Sequence, residues 1–275
     1  MNIGLAISGL KKTFEQGYAL EKRVLDNVDL TLRPGEFISI IGSNGAGKTT
    51  LINCIAGVVS VDEGTIHLDG EDITRRKTEV RAKDVARVFQ DPKLGTAGHL
   101  TIEENLAIAA RRGRKNLLRN GVSEEDRAWF TERLASLGLG LESRLQAKVD
   151  TLSGGQRQIL TLVMATMRQP KLLLLDEHTA ALDPKASQLV MDLTEKMVKE
   201  THQTTMMITH NMDNAIRYGD RLIMLHDGGI VIDVSGEAKR KLTVNQLVDR
   251  FRHVAGDAVI SDRTLLAGEV AFAKN

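Results

Sequence analysis

Residues 42–49 have the types and spacing that bind a phosphate group. They are Gly42, Ser43, Asn44, Gly45, Ala46, Gly47, Lys48 and Thr49, followed by Thr50. This order fits G-x-x-x-x-G-K-[ST], the P-loop, in which closely approaching backbone N–H groups surround the phosphates. We expect Lys48 to contact the β- and γ-phosphates and the Thr49 hydroxyl to hold Mg²⁺. The alternative is an ordinary glycine-rich turn, and the lysine and threonine argue against it.

Two carboxylates follow a run of leucines. Leu172 to Leu175 predicts a buried parallel strand, which would bring Asp176 and Glu177 to the carboxyl edge of a sheet. Two acids there need a counter-charge. With a P-loop in the same chain, Asp176 is expected to hold Mg²⁺ through its water shell, and Glu177 to polarise the attacking water.

Two more polar residues directly follow predicted strands. Gln90 follows Val85 to Phe89, and His210 follows the strand predicted at Thr204 to Ile208. Because ligands of open α/β sheets bind outside the carboxyl ends of strands, these residues, the P-loop and the two acids can meet at one nucleotide. Taken alone, Gln90 is an ordinary polar loop residue.

A second glycine-rich stretch begins a predicted helix. Ser153 and Gln156 fit a capping box, and Gly154 and Gly155 between them uncover backbone N–H groups at the helix amino end. The stretch is therefore either a second anion site or a box that merely starts a helix.

These residues require an α/β body with an inserted helical lobe. A strand before the P-loop and an amphipathic helix after it, with Leu51, Cys54, Ile55 and Val58 on one face, support the body. Leu5 to Ser8 and Val28 to Leu32 predict an antiparallel β edge, divided by a loop from Lys11 to Arg23. The helices of the lobe are predicted at Ile102 to Arg111, Glu124 to Leu137 and Gly154 to Arg168.

An aromatic residue in the predicted first loop could stack on a purine. Phe14 is the candidate, Tyr18 is its competitor, and a plain loop-packing role is the alternative for either.

The composition excludes several classes of function. The 275 residues carry 37 basic and 36 acidic side chains, so there is no overall attraction to nucleic acid. The single cysteine rules out an internal disulfide framework. No signal peptide and no apolar run of membrane-spanning length is found, so we expect any membrane role to come through a partner.

In this order, the motifs strongly resemble the nucleotide-binding subunit of an ATP-binding cassette (ABC) transporter. The resemblance covers about residues 3–235. It identifies residues 42–49 as Walker A, Gln90 as the Q-loop glutamine and Leu152–Gln156 as the LSGGQ signature. It also identifies Asp176 as the end of Walker B, Asp183 as part of the D-loop and His210 as the switch histidine. It implies a P-loop NTPase core with an antiparallel β subdomain and a helical subdomain inserted at about 95–170. The ABC ATPase domain would span residues 1–235, and a helical extension and tail 236–275.

The resemblance also implies cofactors and partners. ATP and Mg²⁺ would bind between two subunits, with Walker A of one facing LSGGQ of the other, so the chain would work as a homodimer or with a paralogous subunit. Gln90 would join Thr49 and Asp176 on the metal and, with Glu177 and His210, act in hydrolysis. Phe14 would stack on adenine, where the family more often has tyrosine. His178 departs from the proline that usually follows the glutamate.

The Asp-Glu-His-Thr-Ala-Ala-Leu-Asp-Pro run resembles a bacterial subgroup assigned to aromatic amino acid uptake. That resemblance implies transmembrane permease subunits, an extracytoplasmic binding protein and a peripheral location on the cytoplasmic face of the membrane. A cytosolic ABC ATPase of an assembly machine is the rival interpretation.

A final helix is predicted after Thr243, which forms a capping box with Gln246. Its apolar face is expected to pack on its own domain. That face consists of Val244, Leu247, Val248 and Phe251.

Overall fold

Two β-sheets and the helices around them make up the computed structural model, which describes residues 3–16, 20–113 and 121–255. The strands are β1 (Leu5–Gln16), β2 (Leu20–Leu32), β3 (Phe37–Gly42), β4 (Glu63–Leu68), β5 (Glu71–Asp72), β6 (Val85–Val88), β7 (Leu172–Asp176), β8 (Thr205–Ile208), β9 (Arg221–His226) and β10 (Gly229–Ser235). The helices are α1 (Lys48–Ala56), α2 (Thr78–Arg81), α3 (Ile102–Ala110), α4 (Glu124–Ala135), α5 (Gly154–Thr166), α6 (Pro184–Thr201), α7 (Met212–Arg217), α8 (Gly236–Arg240) and α9 (Val244–Ala255).

The larger sheet has the strand order β10-β9-β3-β8-β7-β6, and all its neighbours pair in parallel except β9 and β10. Strands β3, β7 and β8 are buried along their whole length, as apolar strands are when helices cover both faces of a sheet. Because β3, β8 and β7 are parallel neighbours, the segments that follow them leave at one edge. The P-loop, Glu177 and His210 therefore come together at that edge.

The smaller sheet is antiparallel, in the order β2-β1-β4-β5, as the predicted β edge requires. The loop predicted from Lys11 to Arg23 is wrong for its described residues, because β1 extends to Gln16, β2 begins at Leu20, and the two strands pair antiparallel with Phe14 opposite Lys22. Register shifts between Ile7 and Leu10 and further along the pair interrupt the two-residue alternation. A bulged strand does not show the regular pattern by which strands are recognised in a sequence.

The three helices predicted for the lobe are present as α3, α4 and α5. Each begins at the predicted residue and has a capping box at its amino end, formed by Thr101, Ser123 and Ser153 respectively. Their apolar side chains share one buried cluster with residues of β7. The lobe is thus packed on one face of the larger sheet.

Helix α1 buries the predicted face, except at its end. Leu51, Cys54 and Ile55 are fully buried, but Val58 is 59% exposed. The prediction for Val58 is wrong because the helix ends at Ala56, where Gly57 adopts a left-handed conformation with φ of 77°. Burial raises the pKa of the Cys54 thiol to about 11, so this cysteine packs as a small apolar residue.

Helix α9 packs on its own domain, as predicted. The backbone N–H of Gln246 donates to Oγ1 of Thr243 at 3.3 Å, and the N–H of Thr243 donates to Oε1 of Gln246 at 3.0 Å. Its buried face joins Ile41 and Met212 in one cluster. The residues of that face are Leu247, Val248 and Phe251.

Candidate functional site

The P-loop joins β3 to the amino end of α1, as the sequence predicts. Nζ of Lys48 donates hydrogen bonds to the carbonyl oxygens of Gly42, at 2.7 Å, and Ser43, at 3.0 Å. These bonds hold the buried ammonium inside the curve of the loop. Gly47 has φ of 98°, and a Cβ there would lie 2.6 Å from the carbonyl oxygen of Val24, so only glycine fits.

Glu177 and His210 form a close pair at the same edge. Oε1 of Glu177 lies 2.5 Å from Nε2 of His210, and the backbone N–H of Glu177 donates to the carbonyl of Ile208 at 3.0 Å. Glu177 has φ of 49°, a left-handed conformation that costs a non-glycine residue on the order of 1 kcal/mol. The two strand ends therefore hold the carboxylate in one position against local strain.

A cavity of about 190 Å³ lies where these segments meet. It is lined by Val24, Asn44, Gly45, Ala46, Gly47, Lys48, Thr49, Thr50, Glu177 and His210. An anion in this cavity would face the first N–H groups of α1 and the Lys48 ammonium, which both favour negative charge. The Glu177 carboxylate and the His210 imidazole, which also line the cavity, are the groups that could orient a water molecule towards a phosphate.

Asp176 lies at the end of β7 and forms an ion pair with Arg87 of β6, with 2.5 Å between Oδ2 and Nη2. Mg²⁺ prefers oxygen ligands and usually takes one or two from the protein and the others from phosphates and water. Thr49, Gln90 and Asp176 carry oxygens of the kind that this cation takes. In the described part of the chain, no group of three or more His, Cys, Asp or Glu could hold a metal by itself.

Gln90 follows β6 and is exposed, outside the lining of the cavity. The residue before it is fixed by the helical lobe, because Nε2 of Gln158 on α5 donates to the carbonyl of Phe89 at 3.0 Å. Gln90 thus stands where the larger sheet meets the lobe.

The stretch from Ser153 to Gln156 caps α5, also outside the cavity lining. The N–H of Gln156 donates to Oγ of Ser153 at 3.3 Å, and Oε1 of Gln156 accepts from the N–H of Ser153 at 3.2 Å. Gly154 and Gly155 have a packing role that the sequence did not reveal. A Cβ at Gly155 would lie 3.0 Å from Cβ of Ala186, so glycine lets α5 approach α6 closely.

Asp183 and His178 both fix the segment between β7 and α6. Oδ1 of Asp183 accepts from the N–H groups of Lys185 and Ala186, both at 3.1 Å, and so caps α6. His178 is buried with Nε2 3.2 Å from Oγ1 of Thr194, and burial lowers the pKa of its imidazole to about 4. His178 is therefore neutral at pH 7.

Phe14 lies on β1 rather than in a loop, which corrects its predicted position. The side chain is 38% exposed, and Nζ of Lys12 lies 5.3 Å from the centre of its ring. It is not part of the cavity lining. Tyr18 lies outside the described residues.

Comparison with known families gives the site its context. The model of the family described as ABC transporter matches residues 25–180, more than half of the chain. The chain belongs to the ABC transporter family.

Relatives of this ABC protein agree with that assignment. It is 45% identical over 253 residues to a tyrosine transport ATP-binding protein of Clostridioides difficile, covering 90% of this chain and 99% of the relative. It is 36% identical over 234 residues to the lipoprotein-releasing system ATP-binding protein LolD of a Ruegeria species, covering 83% and 98%. A dimeric ATP-binding cassette in a post-hydrolysis state, bound to ADP and Pi, superimposes with a TM-score of 0.71 at 29% identity, covering 84% of this chain and 98% of that chain.

This ABC cassette is an ATPase and the ATP-binding subunit of a transporter, as its family and its solved relatives show. Cassettes of this family dimerise and work with transmembrane permeases. Within the residues that the structure describes, no helix has the length and apolar character needed to cross a membrane.

The motifs of the ABC cassette did not reveal Val24, Arg87 or Gln158. The only signal for Arg87 is one charged residue in an otherwise apolar strand, and Gln158 lies in a helix that otherwise looked amphipathic. Val24 carries no signal, because it lines the cavity only through the folding of β2 across the P-loop.

Proposed function

We propose that this ABC ATPase is the motor of a transporter in which two copies, or this chain and a paralogous subunit, enclose two ATP molecules and drive separate permease subunits. The observation that carries this proposal is the cavity shared by the P-loop, Glu177 and His210. The capped amino end of α5 at Ser153 lies outside the cavity in its own chain, and a second subunit would give it a phosphate to contact.

The tasks in hydrolysis are divided among residues of the cavity and two polar residues outside its lining, Gln90 and Asp176. Lys48 and the N–H groups at the start of α1 bind the β- and γ-phosphates. Glu177 takes a proton from the attacking water, and His210 holds the carboxylate towards the γ-phosphate. Thr49, Gln90 and Asp176 would hold Mg²⁺, which neutralises phosphate charge when bound.

Other residues complete the proposed nucleotide site across the dimer. Phe14 stacks on adenine, and Asp183, at the amino end of α6, lies at the subunit boundary. Residues 1–235 act as the ATPase domain, with the helical subdomain at about 95–170, and residues 236–275 as an extension and tail. The phosphates of the ATP bound to the second subunit are contacted by Ser153, Gly154, Gly155 and Gln156.

The proposed direction of transport is import, with an amino acid as cargo. The 45% identical relative is named for tyrosine transport, and relatives at 34–35% are named for import of sulfonates, spermidine and putrescine, and phosphonates. An extracytoplasmic solute-binding protein would deliver the cargo. The subunit would then sit peripherally on the cytoplasmic face of the membrane, held by its permease.

Co-purification tests the coupling to a permease. The tagged subunit, expressed in its own host and extracted in mild detergent, should carry a multi-spanning membrane protein in near-equal amounts, identified by mass spectrometry. A subunit that is recovered active with only soluble partners would contradict the coupling to a permease and favour an assembly ATPase.

A further inference from the structure

Arg87 stands in the middle of β6, and its guanidinium connects three parts of the site. Nη2 lies 2.5 Å from Oδ2 of Asp176, and Nη1 donates to Oδ1 of Asn53 on α1 at 2.7 Å. The guanidinium carbon lies 4.8 Å from the centre of the Phe89 ring. The side chains of Arg87 and Asp176 are only 16% and 12% exposed, so solvent screens this ion pair weakly.

The elements that Arg87 joins are those that carry the proposed metal oxygens. Helix α1 holds Thr49 in its first turn, and β7 ends at Asp176. The ion pair uses one carboxylate oxygen, Oδ2 of Asp176. Arg87 thus fixes the carboxylate relative to the P-loop helix and leaves one oxygen for a cation.

We propose that Arg87 is a positioning residue that serves as the resident counter-charge of Asp176 and sets the Mg²⁺ concentration at which the subunit binds ATP tightly. This inference rests on the proposed function, because it concerns the same metal-side carboxylate. It assigns a role to a residue that the cassette motifs leave out.

The physical reason is competition between two cations for one carboxylate. A divalent cation that approaches Asp176 meets the positive guanidinium within a few ångströms, in a place where charges interact more strongly than in water. Removing the positive charge takes away that repulsion and frees Oδ2. The expected gain in apparent Mg²⁺ affinity is ~10-fold, the usual effect of one nearby charge on a neighbouring equilibrium.

The main variant is Arg87→Gln, which removes the charge and keeps an amide that can hydrogen-bond. The affinity for a fluorescent ATP analogue is measured as MgCl₂ is added, and thermal unfolding is measured in EDTA. We expect the half-saturating Mg²⁺ concentration to fall by ~10-fold. We also expect the Tm in EDTA to fall by about 5 °C, because Asp176 loses its partner.

Two matched variants separate charge from packing. Arg87→Lys keeps the positive charge, so its half-saturating Mg²⁺ concentration should stay within about twofold of the parent. Asn53→Ala removes the contact with α1 and leaves the ion pair, so it should lower the Tm while the Mg²⁺ concentration stays within about the same range.

An Arg87→Gln protein whose half-saturating Mg²⁺ concentration equals or exceeds that of the parent would overturn the inference, since Arg87 would then be purely structural. If Arg87→Gln does not fold, the Arg87→Gln/Asp176→Asn double variant decides. Recovery of the Tm in EDTA supports the pairing, because no unpaired charge remains, and failure to recover refutes it. If the ATP affinity of the unsubstituted protein does not change with Mg²⁺ concentration, the proposed function itself is wrong.

Discussion

At the scale of single residues, the proposed hydrolysis depends on the contact between Glu177 and His210. Their 2.5 Å contact joins the ends of two parallel strands, and both side chains are largely buried. We expect Glu177→Gln to cut ATP turnover by ~10²- to 10⁴-fold, because the amide keeps the shape but cannot accept the proton. Steady-state phosphate release and binding of a fluorescent ATP analogue measure the two effects separately, and binding should persist.

A carboxylate outside the site provides the control for this prediction. Glu132 is exposed on α4, so Glu132→Gln should leave turnover unchanged. Hydrolysis at the parent rate in Glu177→Gln would show that the carboxylate is only a structural partner of His210.

We expect His178, which stands where the resemblance implies proline, to make the stability of the protein depend on pH. Its folded pKa of about 4 lies below the unfolded value of about 6.5, so the unfolded chain binds the proton more readily in that window. The contribution of neutral His178 to the free energy of unfolding is therefore fully present above pH ~6.5. It falls as the pH drops towards 4, and about 2 kcal/mol is lost at pH 5. His178→Gln should lose this part of the dependence, as urea unfolding at pH 8 and pH 5 would measure.

An exposed histidine serves as the comparison. His99→Gln changes a residue in contact with water and should keep the parent's loss of stability between pH 8 and pH 5. An equal loss in His178→Gln would show that carboxylates alone cause the acid sensitivity.

Site residues could be predicted from the sequence only where they belong to a motif of fixed spacing along the chain. Lys48 and Glu177 belong to local motifs, and both lie in the cavity where the motifs place them. Arg87 and Asp176 are distant in sequence and meet because β6 and β7 are neighbours in the sheet. No periodic pattern in the sequence predicts that pairing. The contact of His178 with Thr194 is equally unmarked in the sequence.

At the scale of elements, α1 is fixed at both ends. Its amino end is the P-loop, and its carboxyl end is capped by Arg81, whose Nη1 donates to the carbonyls of Cys54, at 2.7 Å, and Ile55, at 2.8 Å. Nη2 of the same guanidinium donates to the carbonyl of Thr74 at 2.8 Å. A cation at this end also interacts favourably with the negative end of the helix dipole.

We expect Arg81→Met to lower the free energy of unfolding by about 2–3 kcal/mol, because buried carbonyls lose a charged donor while the apolar volume is kept. Urea unfolding measures the loss. Arg75 is an exposed neighbour, and Arg75→Met should change stability by less than about 0.5 kcal/mol. Equal effects of the two variants would show that the cap contributes nothing.

The helices were predicted more accurately than the first strands, because helix starts carry local sequence signals and strand pairing does not. Capping boxes at Thr101, Ser123 and Ser153 mark the helix starts within three residues of sequence. The pairing of β1 with β2 runs across bulges, and the charged and polar residues between Lys11 and Arg23 resemble a loop in the sequence. Pairing with a neighbouring strand determines whether such a segment forms a strand, so the local sequence pattern alone predicts a loop.

At the scale of the whole molecule, the chain carries two parts of the proposed nucleotide site that do not meet in the described structure. The cavity holds the P-loop, Glu177 and His210, whereas Ser153 caps α5 outside it, exposed to solvent. Gly154 lies close to Leu182 and Gly155 close to Ala186, so the capped end packs against the start of α6. Such a preorganised helix end would need little rearrangement to contact a phosphate on a second subunit.

Ser153→Arg tests whether that helix end joins a second subunit. A long cation at the exposed amino end of α5 opposes the helix dipole and fills the space in which a partner's phosphate would lie. ATP binding to the P-loop should stay near that of the parent, whereas the ATP-induced dimer, measured by light scattering on a variant that also carries Glu177→Gln, should be lost. Ser143→Arg places the same side chain at another exposed serine of the lobe and should leave the dimer intact. If both variants dimerise with ATP as the parent does, the amino end of α5 is only a helix cap and the enclosed-ATP dimer is wrong for this chain.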